Sequence, residues 1–479
     1  MSKVPETKMT TPQKPPVALL RQLGIVSATA LVVSNMVGTG IFTTTGFLAG
    51  DLGDPRLVLG IWVVGALFAL AGAFCYSELG INFPSSGGEY VYLTRAYGPT
   101  WGFMTGWISF FAGFSAPIAA AALAFCGYLS YFFPALDPKN AAFTIGSGDL
   151  MLRLGWEQVV ASGLIVLFTL LNFFGVSRVA KLQNVLTAIK LLVILAFIVL
   201  GFGVGKGPSC GWANFAIPAT RTPPFYPLAA QFAISLFWIY FCYSGWNAAT
   251  YVAEELKRPE RTLPIALTFG TLLVAALYMG LNLIFIYATP LESMKGVRAI
   301  GALAAQKLFR EEVAGTFSAL MALALLATVN AMVTIGPRVY YAMAKNGAFF
   351  QVAAEVHPRW HTLVIAIVCQ GICAVLMTLT PFPNLIEYIG FTLTFFAVLS
   401  VSSLFVFRRR AGWQKIRVVS FAFPLIPVAF ALVGVWTIVY GLFYGLTRKP
   451  AVPLAVMATI AAGAAVYHAF LRPKQAAGR

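Results

Sequence analysis

Two short stretches of weak helix formers interrupt otherwise apolar runs, Val37-Gly38-Thr39-Gly40-Ile41-Phe42 and Tyr243-Ser244-Gly245-Trp246-Asn247. Gly38 and Gly40 lack a Cβ, so the chain can leave the α-region there and present consecutive N–H groups to a ligand. At the start of a helical segment those groups form the positive end of a dipole, which suits an anion such as a carboxylate, and Thr39 adds a hydroxyl. The carbonyls that lose partners just upstream, around Asn35 and Met36, are acceptors for an ammonium group. A zwitterionic α-amino acid carries both charges at that separation. In the second stretch Ser244-Gly245 loosens the helix after Phe241, and Trp246-Asn247 sets a ring and an amide beside freed carbonyls, a wall and a polar handle for selecting a side chain. Plainer roles stand beside these: Gly-x-Gly lets two helices pack closely, and a Trp in an apolar run serves as packing or as an interfacial anchor. Trp246 departs from an interfacial anchor in its depth, about twenty residues into its run.

Lys190 is a basic residue inside an apolar run, 184–204. At 1.5 Å per residue from Asn184 it lies about 9 Å deep, a depth from which lysine can snorkel to the interface. The alternative is an inward ammonium bonded to carbonyls freed at the first break, a fixed cation in the place of a coupling ion. There it is either a static strut or a proton carrier.

Within a bilayer a break in a helix persists only where protein, water or ligand takes over the freed backbone groups, and matched breaks in two halves of a chain mark a transporter's binding site. The rest of the sequence supplies the bilayer framework. With 59% hydrophobic and 10% charged residues among 479, and a mean hydropathy of +0.81, the chain is too apolar for a soluble core. Runs of about twenty apolar residues place twelve spans over 25–48, 57–81, 99–127, 156–174, 184–204, 226–253, 263–288, 312–342, 363–380, 384–407, 419–443 and 451–470. Pro117 interrupts an Ala-rich stretch that still reads as one helix. The breaks fall in spans 1 and 6, five apart, and a unit of five spans repeated at once must reappear upside down. The expected organisation is a tail over 1–24, a first five-helix repeat over 25–204, an inverted second repeat over 226–407, two additional helices over 419–470 and a tail over 471–479.

Counting Arg338 with the loop that follows its span, 21 of the 33 Lys and Arg flank the side carrying both tails and 11 the other. The positive-inside rule then puts both termini in the cytoplasm of a multi-pass cell-membrane protein, with Arg408-Arg409-Arg410 the strongest anchor. The loop 289–311, with four basic residues on the outer side, argues the other way. A net charge of +17 invites nucleic acid, but the basic residues flank apolar spans, where topology and anionic lipid headgroups account for them. No nucleic-acid partner is expected. The apolar run after residue 24 is too long for a signal-peptide core, so the tail reads as uncleaved. Cys75, Cys126, Cys242, Cys369 and Cys373 read as small apolar packing, and no metal-ligand spacing is present.

The sequence also resembles the amino acid–polyamine–organocation superfamily, and within it looks like a bacterial-type relative of the L-type amino acid transporters. The resemblance is carried by the Val37–Phe42 stretch; by Tyr76-Ser77-Glu78-Leu79, Pro84-Ser85-Ser86-Gly87-Gly88-Glu89-Tyr90 and Tyr97-Gly98-Pro99; by Lys190; by Ser244-Gly245-Trp246-Asn247 with Glu254-Glu255-Leu256-Lys257; and by Gly336-Pro337-Arg338-Val339-Tyr340. It implies an all-α, LeuT-like fold of twelve transmembrane helices with a 5+5 inverted repeat and broken helices 1 and 6, and sodium-independent amino acid exchange. By the same resemblance the Gly38, Thr39 and Gly40 amides hold the substrate carboxylate, and the carbonyls of Met36, Phe241 and Ser244 hold its amino group. Trp246 and Asn247 line the side-chain pocket and gate, and Lys190 bridges the unwound helix to the scaffold. Glu78, Glu254 and Glu255 stabilise loop contacts.

Animal light-chain relatives join a glycoprotein through a cysteine between spans 3 and 4; residues 134–155 contain none, so no disulfide-linked heavy chain is expected. No Asp or Glu is evident near either break to favour a cationic side chain and no Arg to favour an acidic one, so neutral L-amino acids are the expected substrates, with a cation over Trp246 an alternative. Proton-coupled symport, exchange of cationic amino acids or polyamines, and a transporter-like nutrient sensor are the rival readings. A channel lacks a continuous polar path. An enzyme lacks its catalytic group: His357, His361 and His468 stand in no metal motif, and no catalytic residue, cofactor or metal is expected.

Overall fold

The first apolar run does not form one rod. Helix α1 (Ile25–Met36) stops at Val37, Gly38 is extended, and α2 (Thr39–Leu52) resumes at an angle of 42°. The computed structural model describes residue 21 and residues 23–84, 87–146, 151–174, 176–222, 226–360 and 362–472. The N-terminal tail expected over 1–24 and the C-terminal tail over 471–479 lie largely outside the described residues, as do Ser85, Ser86 and His361.

Gly53, at φ +67°, ends α2 in the left-handed region, and Asp54 caps α3 (Pro55–Asn82) by accepting from the Arg56 N–H at 2.7 Å, with Pro55 in the first turn. A loop helix α4 (Glu89–Tyr97) leads into α5 (Pro99–Leu129). Within α5 a π-helical stretch, Ser109–Ser115, stands just before Pro117. Proline lacks an N–H and crowds the carbonyl four residues back, so the wider turn lets the helix run on past it. A hairpin of β1 (Phe143–Ile145) and β2 (Leu152–Leu154) precedes α6 (Trp156–Leu171) and α7 (Val176–Val204).

The sixth run divides into α8 (Leu228–Tyr243), a turn, and a 3-10 segment, Ala248–Glu255. Helices α9 (Pro259–Ala288), α10 (Glu311–Lys345), α11 (Val364–Met377), α12 (Phe382–Phe407), α13 (Leu425–Arg448) and α14 (Ala451–Leu471) complete the bundle. Among the described residues nine helices are long and apolar enough to cross a bilayer, ten with the bent α1–α2 pair as one. The remaining two of the twelve expected spans are shorter: α6 has 16 residues and α11 has 14. At 1.5 Å per residue they reach about 24 and 21 Å, below the hydrocarbon thickness of about 30 Å. The reason is local, since α6 passes into a 3-10 turn at Asn172–Phe174 and α11 runs into the Pro381–Pro383 corner.

The broken elements sit inside. Helix α1 packs on α9, α2 on α8, α9 on α3, and α10 against α5 and α7. The Ala-rich stretch of α5, Ala119–Ala122, is fully buried all round, whereas large apolar side chains that stay exposed, such as Leu192, Phe269 and Leu432, lie on spans, where hydrocarbon meets them.

Candidate functional site

The two breaks, more than 200 residues apart in sequence, are in backbone contact. Gly245 has φ +99°, and a Cβ there would stand 2.9 Å from the carbonyl of Asn35, so both conformation and space require glycine. On the other side of the junction a Cβ on Gly40 would stand 2.6 Å from Cys242 Sγ and 2.8 Å from its Cα. Gly40 therefore joins α2 to α8 as well as belonging to the candidate amide cradle.

Lys190, 1% exposed, reaches from α7 to the end of α1. Its Nζ donates to Ser34 O at 3.2 Å and to Val37 O. Tyr278 of α9 closes the junction from the opposite side, its hydroxyl 2.7 Å from Met36 O and 2.9 Å from Cys242 O, so one proton serves a carbonyl from each broken span. Phe241 O accepts from the N–H and the hydroxyl of Ser244, at 3.1 and 2.7 Å. The carbonyls of Met36 and Phe241 thus already have protein donors, which an incoming ammonium must share or replace.

Helix α2 begins at Thr39, so Thr39 and Gly40 are helical and the break is confined to Val37-Gly38. Beside it the hydroxyls of Thr39 and Thr328 are buried without a hydrogen-bond partner, Thr328 Oγ1 lying 4.0 Å from where a Gly38 Cβ would stand. Two unfilled hydroxyls next to the first N–H groups of a helix make a polar spot suited to the charged end of a small molecule.

A cavity of about 130 Å³ opens beside the second break. Asn35, Ser244, Trp246 and Asn247 line it, together with Glu89, Tyr240 and Tyr251. Met36, Gly38, Thr39, Gly40 and Phe241 are not on its wall. The Trp246 ring is 2% exposed, meets Tyr76 edge-on at 4.7 Å, and lies so close to Gly72 that a Cβ there would be 2.7 Å from it. Asn247 donates to Glu89 Oε1 at 2.5 Å and to Tyr251 at 3.2 Å.

Glu89 corrects the expectation that no carboxylate stands near either break. Its loop position disguised it, although Gly87-Gly88 before it is a turn signal that places the next side chain. Tyr278 gives no sequence signal either, since a tyrosine within an apolar run carries no mark of its partners. Glu78 lies elsewhere, on the face that carries the 408–416 loop, where it binds Arg408.

A family model described as amino acid permease matches residues 23–466. The mouse large neutral amino acids transporter small subunit 2 is 29% identical over 469 residues, covering 94% of this chain and 81% of that protein. The serine/threonine exchanger SteT of Bacillus subtilis (strain 168) is 28% identical over 422 residues, 86% of this chain and 88% of that protein. The mouse Asc-type amino acid transporter 1 is 27% identical over 428 residues, 86% of this chain and 76% of that protein.

Proposed function

We propose that this chain, which belongs to the amino acid permease family and is a multi-pass amino acid transporter of the amino acid–polyamine–organocation type, exchanges neutral L-amino acids across the cell membrane by alternating access and without sodium. The observation that carries this reading is the junction of the breaks with Lys190 seated on Ser34 O and Val37 O. A fixed ammonium on these carbonyls takes the place a mobile coupling cation would need. SteT is named an exchanger, and the large neutral and Asc-type relatives are named amino acid transporters.

In this reading the amides of Gly38, Thr39 and Gly40, helped by the free hydroxyls of Thr39 and Thr328, take the substrate carboxylate. The carbonyls of Met36, Phe241 and Ser244 take its amino group, which shares Met36 O with the donor Tyr278 and Phe241 O with the Ser244 hydroxyl. Trp246 and Asn247 face the substrate side chain across the cavity. The LeuT-like arrangement of two inverted five-helix repeats with two further helices accommodates the nine long spans, the bent pair and the two short helices. Both termini are cytoplasmic. The four basic residues of the outer loop are outweighed by the bias of 21 to 11 over the chain. With no cysteine in 134–155, the protein works without a disulfide-linked partner.

Purified protein in liposomes, given radiolabelled neutral amino acid, should take it up only when unlabelled amino acid is inside, with or without sodium. Uptake into empty liposomes driven by an inward proton gradient would make it a symporter instead. Gly38→Ala separates the cradle from the packing. At φ −126° any residue is accommodated, and the new methyl meets nothing closer than 3.6 Å, but it projects toward Thr328 beside the first amides of α2. We expect unchanged unfolding and substrate affinity lowered at least about tenfold, the value of one charge-assisted hydrogen bond. Wild-type affinity would remove the carboxylate from this break.

A further inference from the structure

The loop between α3 and α4 places one carboxylate on the wall of the central cavity. Gly88, at φ +47°, turns the chain into α4, and a Cβ there would stand 2.7 Å from the Tyr251 ring, so the glycine sets the turn and lets that ring reach the residue after it. Glu89 is only partly exposed. Its Oε2 accepts from the Tyr251 hydroxyl at 2.5 Å, and its Oε1 accepts from Asn247 Nδ2 at 2.5 Å and the Tyr76 hydroxyl at 3.1 Å. Tyr76 belongs to the scaffold helix α3, whereas Asn247 directly follows the second break and Tyr251 lies on the 3-10 segment beyond it. One carboxylate thus ties the far half of a broken span to α3.

All three donors are neutral. The ion pairs Lys295–Glu292, Arg298–Glu157 and Arg408–Glu78 do not involve Glu89. The titratable groups around it are Tyr76 on α3, Tyr240 on α8, Tyr251 on the 3-10 segment and Tyr92 on its own helix. The start of α5, packed on α4, has no ionisable side chain over Pro99–Ile108. Three cations at this end are engaged elsewhere: Arg408 of the α12 terminus on Glu78, Arg95 over Phe83 at 4.7 Å and Arg410 over Phe407 at 4.7 Å.

We propose that Glu89 is a proton-binding site of the exchange cycle, a latch that as a carboxylate holds the 244–255 segment against α3 and that loosens when protonated. A carboxylate removed from water without a cation is disfavoured in its charged form. Burial raises the Glu89 carboxyl above its ordinary value, and the bonds from Tyr251, the backbone, Tyr76 and Asn247 restrain that rise. Protonation turns an acceptor of three hydrogen bonds into an acid that must itself find an acceptor, so at least one tie across the break is lost. Glu89 lies on the wall of the central cavity, so a proton that reaches the cavity meets it there. Opening of this half of the span, and with it exchange, becomes faster as pH falls.

The inference rests on the exchange reading, and one assay tests the two separately. Counterflow of a labelled neutral amino acid is measured in liposomes at about pH 5.5 to 8.5, equal on both sides. The wild-type rate should rise severalfold toward acid. Glu89→Gln, always neutral, should run at the fast limit throughout. Tyr251→Phe removes a donor that stabilises the carboxylate, so its transition should move to higher pH; this variant carries the test if Glu89→Gln does not fold. A flat wild-type profile, a Glu89→Gln profile like the wild type, or a Tyr251→Phe midpoint that is unmoved or lowered would overturn the latch. So would a Glu89→Gln protein that loses only the counterflow of cationic amino acids, which would make Glu89 a counter-ion for substrate. Absence of wild-type counterflow at every pH would instead sink the exchange reading.

Discussion

Lys190→Ala should all but abolish counterflow while the protein still reaches the membrane. The side chain is almost fully buried, and its ammonium binds Ser34 O and Val37 O, carbonyls that the end of α1 leaves without helical partners. A hydrogen bond to a charged group contributes about 1.5–3 kcal/mol, so the pair represents about 3–6 kcal/mol favouring this geometry of the break. At about 1.4 kcal/mol per factor of ten, loss of both penalises the binding-competent arrangement at least about a hundredfold. The rest of the fold depends little on it, because α1 and α2 are also held by their packing on α9 and α8. Lys190→Met keeps most of the bulk and drops the charge, so it should transport as poorly as alanine while unfolding nearer the wild-type midpoint. Counterflow rates beside thermal unfolding in detergent separate the two effects. A Lys190→Ala protein that exchanges normally would make this lysine dispensable and take with it the argument for a fixed cation.

What could be read in the sequence is what contrasts with its surroundings. A glycine pair or a Ser-Gly step in a run of Val, Ile and Phe stands out because lipid punishes a broken helix, and a lone lysine stands out because lipid punishes a charge. Those signals located both breaks and Lys190. Length was less legible: α6 and α11 end early because a 3-10 turn and a proline corner cut them, whereas hydropathy simply continued across those points. Apart from Lys190 and the carbonyls of the first break, partners across the bundle were not legible. Tyr278 joins carbonyls 242 and 36 residues away, and Glu89 meets donors 158 and 162 residues on, pairings that exist only after the spans have assembled. Gly40 shows the limit most clearly. Its type permits a ligand cradle or a close helix contact, and the structure gives it the contact with Cys242 without removing it from the cradle.

Glu78→Ala should destabilise the protein by about 3–5 kcal/mol, the cost of leaving one member of a buried pair without the other. Glu78 is fully buried; its two oxygens accept from Arg408 at 2.7 and 2.6 Å, from Trp413 Nε1 at 2.8 Å and from the Ile416 N–H at 3.2 Å. Without the carboxylate the guanidinium stays over the Phe423 ring, 4.1 Å away, with its charge uncompensated. A Glu78→Met, Arg408→Met double variant removes both charges and should regain much of the loss, since buried pairs are often replaceable by apolar side chains of similar volume. The unfolding midpoints of the wild type, Glu78→Met, Arg408→Met and the double variant form the cycle that checks this; a single variant as stable as the wild type would show the pair to be dispensable. The position gives the result its functional meaning. Glu78 lies two residues beyond Tyr76 on α3, and Asn82 further along exchanges hydrogen bonds with Gln414, both at 2.8 Å. The pair and these bonds fix the end of α3 to α12 and its following loop, so the Tyr76 side of the Glu89 contact is anchored and the segment beyond Gly245 is the side free to move. The double variant should therefore keep the pH response of exchange even where the single variants are too unstable to assay.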